Sequence, residues 1–128
     1  MKIALIRKLM AIALLGLFAQ FSFAQDNMAA LNEIADIVAS MNHFPSDEEK
    51  VTLLAIAEME SYPESLRDMA NTVANIQHFA TDEGKEAMAR IMANEEASDE
   101  AKSVAGVVAS FLHSASDEDK AMLAALFQ

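Results

Sequence analysis

Three stretches of this chain align without gaps: IVASMNHFPSDEEK at residues 37–50, TVANIQHFATDEGK at 72–85 and VVASFLHSASDEDK at 107–120. His43, His78 and His113 are 35 residues apart each time, as are Ala39, Ala74 and Ala109, and Lys50, Lys85 and Lys120. That many coincidences at one offset mark an internal repeat, and repeats decide a fold before local propensities do. Each repeat divides again. Ser98-Asp99-Glu100-Ala101-Lys102 shares its pattern with Ser116-Asp117-Glu118-Asp119-Lys120.

Helix-start signals fall near residues 28, 46, 63, 81, 98 and 116. Ser46, Thr81, Ser98 and Ser116 can cap free backbone N–H groups with their hydroxyls. Acidic residues follow at once, where the positive end of the helix dipole favours them. Ser46 with Glu49 makes a capping box, Ser116 with Asp119 approximates one, and Gly84 interrupts the pattern in the middle repeat. Pro63 suits a first-turn position. The acid-rich runs are read as helix starts. They lack the Asp alternation and central Gly of an EF-hand calcium loop.

The apolar spacing is helical. Leu31, Ile34, Val38 and Met41 fall on one face, matched by Leu66, Met69, Val73 and Ile76 and by Ala101, Val104, Val108 and Phe111. In the second helices Leu53, Ile56 and Ala57 answer to Met88, Ile91 and Met92 and to Leu123, Leu126 and Phe127. No segment alternates like a strand. The expected fold is all-α: three 35-residue helical hairpins, six helices, stacked as a short solenoid or closed into a six-helix bundle. Three repeats are about the fewest that bury one another's apolar faces.

Ahead of the repeats, residues 1–24 carry Lys2, Arg7 and Lys8, then an apolar run from Leu9 to Phe18, then Ser22-Phe23-Ala24. This is the pattern of a secretory signal peptide cleaved before Gln25. The apolar run is short for a membrane span, which needs roughly 20 apolar residues. The expectation is a single helical domain at 25–128, periplasmic or secreted from a bacterium, with no stable membrane insertion after cleavage. The 128-residue chain has net charge −11; residues 25–128 alone hold six basic and twenty acidic side chains, a net of −14. Such a surface excludes a nucleic-acid binder built on a basic patch. No Cys is present, so neither disulfides nor thiolates contribute.

The catalytic inventory is thin. There is no Gly-x-Ser-x-Gly, no His-Glu-x-x-His and no phosphate-cradling glycine loop. The expectation is a non-enzymatic interaction or adaptor module without a cofactor, its partner a protein or peptide and, given the charge, a basic one. His43, His78 and His113 are the candidate binding residues. On an ideal helix His43 projects about 160° from the apolar face, so it is not a residue of that core. A His at a helix end can bond free carbonyls and favour the dipole. It can also form a pH-sensitive strip. The alternative is a periplasmic copper, zinc or haem carrier using the same three residues. Along an open solenoid they cannot share one ion, because packed helices lie roughly 8–10 Å apart. They converge only if the hairpins close around a pseudo-threefold axis. A further class is a carrier of apolar ligands, with Phe111 or Phe127 lining a cavity between helices.

Overall fold

A computed structural model describes residues 26–127. The export-signal reading falls on residues 1–24, outside the described residues. The described chain is helical over residues 26–40 (α1), followed by α2 (Asp47–Glu58), α3 (Glu64–Ala74), α4 (Asp82–Ala93), α5 (Asp99–Ser110) and α6 (Asp117–Leu126). The fold class is therefore all-α. The only bridge pairings among the described residues are isolated ones in the connectors. No described helix is long and apolar enough to cross a membrane.

The helix starts lie where their chemistry places them. The Ser46 hydroxyl accepts the Glu49 N–H at 3.2 Å, and the Glu49 carboxylate accepts the Ser46 N–H at 2.9 Å, completing the capping box. Thr81, Ser98 and Ser116 accept the N–H groups of Gly84, Ala101 and Asp119 at 3.0–3.1 Å. One expectation shifts by a position. Pro63 stands at the N-cap, just outside α3, and makes no side-chain cap there.

Burial separates the helices into two kinds. The odd-numbered ones carry most of the core: Ile34, Val38, Met69, Val73, Val104 and Val108 are all at or below 1% exposure. The even-numbered ones bury a narrower stripe, Leu53 and Ile56 in α2, Met88 and Ile91 in α4 and Leu123 in α6. α2 packs on α3 and α4 on α5 across short connections at 59–63 and 94–98, and α3 also meets α4 and α5. Met41, Ile76 and Phe111, just beyond the odd helices, are buried too. Several residues that the spacing put on the apolar faces are not fully buried: Ala57, Leu126 and Phe127 only pack against the core. Met92 is 40% exposed, and Ala101 is only partly buried.

The middle repeat departs from the other two at one contact. A Cβ on Gly84 would lie 2.6 Å from Thr72 Cγ2, closer than real Cβ contacts come. Thr72 is the only buried polar residue among those described, and it donates its hydroxyl to the Asp68 carbonyl at 2.7 Å. Its counterparts Ile37 and Val107 are ordinary core residues. Gly84 thus lets the start of α4 approach α3 directly.

Candidate metal centre

The connectors from each odd helix to the next even helix run 41–46, 75–81 and 111–116, of six, seven and six residues. In all three the same positions are anchored. Met41, Ile76 and Phe111 are buried, and four residues later so are Pro45, Ala80 and Ala115. With both ends held in the core, the three intervening residues must arch outward. The histidine is at the middle of each arch.

The arch is tight. The Phe44 N–H donates to the Asn42 carbonyl at 2.7 Å, and the Ser114 N–H to the Leu112 carbonyl at 2.7 Å, closing three-residue turns. In the middle repeat the Gln77 N–H donates to the Phe79 carbonyl at 3.4 Å. The central residue takes a left-handed backbone in every case: φ is 67° at His43, 70° at His78 and 65° at His113. These are the only non-glycine positive φ values among the described residues. L-residues avoid this region, although His visits it more than most. Strain of this kind clusters at functional sites.

The three arches meet. The His43 N–H donates to the His113 carbonyl at 2.5 Å, the His78 N–H to the His43 carbonyl at 2.6 Å, and the His113 N–H to the His78 carbonyl at 2.6 Å. The result is a cyclic set of backbone bonds that ties the first repeat to the third as well as to the second. Above it the imidazoles face one another. Their Nδ1 atoms are separated by 3.1 Å (His43–His78), 3.3 Å (His43–His113) and 3.3 Å (His78–His113). Ring centroids are 5.0–5.2 Å apart and the planes are inclined by 67–73°, nearly equal for the three pairs. All three residues are exposed.

This overturns one reading of the histidines. They do not extend the odd helices; α1 already ends at residue 40, and no imidazole bonds a helix carbonyl among the described residues. The about 160° projection assumed that the helix ran on through His43. The left-handed turn re-aims the side chain instead.

The chemistry of the triad follows from its nitrogens. A neutral imidazole has one N–H and one bare nitrogen. Three Nδ1 atoms pointing at one another can share a proton between them, but bare lone pairs otherwise confront each other. A cation held by the three Nδ1 atoms would turn all three lone pairs into donor bonds. The spacing has the right scale. Nitrogens bound at 2.0–2.1 Å to a tetrahedral zinc stand about 3.3 Å from one another. A square-planar ion would need one pair about 4 Å apart, which three near-equal edges do not provide. Haem iron takes imidazole along its axial direction, so three nitrogens on one side suit a bare ion instead.

Exposed apolar side chains stand beside the triad. Phe44 is 60% exposed, Phe79 52% and Leu112 62%, each a chain neighbour of one of the histidines. The Lys85 ammonium lies 5.4 Å from the Phe79 ring centroid. Phe111, expected as a cavity-lining residue, is buried in the core. An apolar-lined cleft of about 420 Å³ is bordered by Met28, Leu31, Leu66 and Met69 instead, near the starts of the odd helices.

The left-handed turns, and with them the exposed rim, are the features that the sequence reading missed. A signal was present: a histidine flanked two residues away on both sides by apolar or small anchors, in three copies. Comparison with family models, with curated proteins and with solved structures returns no match for this chain.

Proposed function

We propose that this protein binds one transition-metal ion of tetrahedral preference, zinc being the natural case, through Nδ1 of His43, His78 and His113. The observation that carries the reading is the set of three Nδ1 separations of 3.1, 3.3 and 3.3 Å, held by a strained backbone at all three positions. Pre-formed ligands remove most of the ordering that a flexible site must undergo on binding. The cyclic backbone bonds between first, second and third repeats support the closed arrangement of three helical hairpins over an open solenoid. In this reading the protein is a metal-binding or metal-carrying protein rather than an enzyme, and the signal-like pattern of residues 1–24 supports a periplasmic or extracellular location. The adaptor reading, with a basic protein or peptide as partner, rests on the acidic surface alone.

Cobalt(II) titration tests the proposal, because tetrahedral cobalt absorbs visibly and takes zinc sites. The wild-type protein should bind one equivalent with the intense visible bands of a four-coordinate ion, and zinc should displace it. Replacing all three histidines by alanine should abolish both. Binding of equal affinity by that variant would remove the triad from the account.

A further inference from the structure

Three neutral imidazoles would leave a four-coordinate divalent ion with its full charge and with one further position to fill. That position selects an electron-pair donor, and a negatively charged one is favoured. The surface next to one of the three ligands narrows the class. Beside His78 lies an open cleft of about 340 Å³, lined by Phe44, Lys50, Asn75, Ile76, Gln77 and His78 itself. This is the size of a small-molecule site, and such sites combine apolar walls with a few polar groups. Phe44 supplies the exposed ring and Lys50 the cation.

The three repeats are not equivalent here, and the differences favour one cleft. In the second repeat Lys85 already sits over the Phe79 ring. In the third, Ser114 stands where the others have phenylalanine. The first repeat presents both an exposed aromatic ring and a lysine on a cleft that reaches a histidine of the triad. Lysine is also scarce: residues 25–128 hold four, and three of them are the repeated Lys50, Lys85 and Lys120.

Resting on the metal reading, we infer that the fourth coordination position takes the carboxylate of a small aromatic acid, whose ring lies in the cleft against Phe44. The carboxylate oxygen coordinates the ion and Lys50 adds a second positive charge on that side. The ring replaces water on the exposed face of Phe44. Burying an aromatic body in this way favours it over acetate by about tenfold or more.

The cobalt-loaded protein reports on this directly, because a change of fourth ligand shifts the visible bands. Benzoate should shift them at about tenfold lower concentration than acetate. Benzyl alcohol, which has the ring without the carboxylate, should leave them unchanged. Phe44→Ala should bind cobalt with unaltered stoichiometry and lose the preference for benzoate over acetate. Lys50→Gln should weaken both acids together by a few fold. Benzoate no better than acetate in the wild-type protein, or a preference that survives Phe44→Ala, overturns the inference while the metal reading stands. Failure of cobalt to bind at all overturns both.

Discussion

Replacing one histidine of the triad by glycine or by alanine separates strain from ligation. His78 has φ of 70°. The left-handed conformation costs an L-residue roughly 1–2 kcal/mol. Glycine occupies it without that penalty, but the freer unfolded chain returns roughly 0.5–1 kcal/mol of the gain. His78→Gly should therefore be more stable than the metal-free wild type by about 0.5–1 kcal/mol. His78→Ala keeps its Cβ and hence the strain, so it should be less stable than His78→Gly by about 1 kcal/mol. Zinc inverts the order. At a hundredfold excess over its dissociation constant a ligand stabilises the state it binds by about 2.7 kcal/mol. Only the wild type carries the full triad and should gain that amount. Urea denaturation in EDTA and again in zinc measures both halves. Equal stabilities of the glycine and alanine variants in EDTA would show that the backbone is not strained. A full zinc increment in His78→Gly would show that the His78 ring is not a ligand. The same comparison at His43 and His113 should give similar values, but a triple glycine variant should not add them, because the three residues share one set of backbone bonds.

Two further outcomes test the scaffold. Gly84→Ala gains up to about 1 kcal/mol in helix propensity but overpacks against Thr72, at a cost of about 1–3 kcal/mol. It should lower stability on balance, and Thr72→Ser, which deletes Cγ2, should rescue it; a double-mutant cycle without coupling would contradict the contact. Asp68 is held above the ordinary carboxylate range, first by burial and then by the Glu64 carboxylate, against the opposite pull of Arg90 and Arg67. Its charged form is thus the disfavoured one in the folded protein. Native stability is highest with the carboxyl protonated and declines as pH rises through its folded value. Asp68→Asn should melt higher than wild type at pH 7, and the gap should shrink on approach to about pH 4. A gap that does not change with pH would reject this cause.

Much of the scaffold can be read from the residues because its determinants are local. A hydroxyl followed by acids starts a helix whatever lies elsewhere in the chain, so Ser46, Thr81, Ser98 and Ser116 each stand one residue ahead of a helix. The 3.6-residue spacing likewise marked Ile34, Val38, Met69, Val73, Val104 and Val108 as core. The site is less legible. Its three residues stand out by their 35-residue spacing, but their convergence depends on a ring of contacts between repeats that no single repeat encodes. The left-handed turn at each histidine is hidden for a related reason. No glycine or asparagine occupies the position to announce it, and the backbone is held there by the buried neighbours Met41 and Pro45, Ile76 and Ala80, and Phe111 and Ala115. Gly84, by contrast, looked like a break in a capping pattern. In the structure it makes room for Thr72.

On the closed arrangement proposed above, the cyclic backbone bonds also favour three repeats. In an open array each added unit leaves the same unfinished edge for the next, so length can drift by one unit at a time. Here the N–H of the first histidine is already committed to the carbonyl of the third. A fourth unit would find no partner for its arch, and a chain with two would leave one donor and one acceptor bare. On that arrangement, duplication or loss of a single repeat would be an all-or-nothing event, where an open array would register it as a gradual change in length.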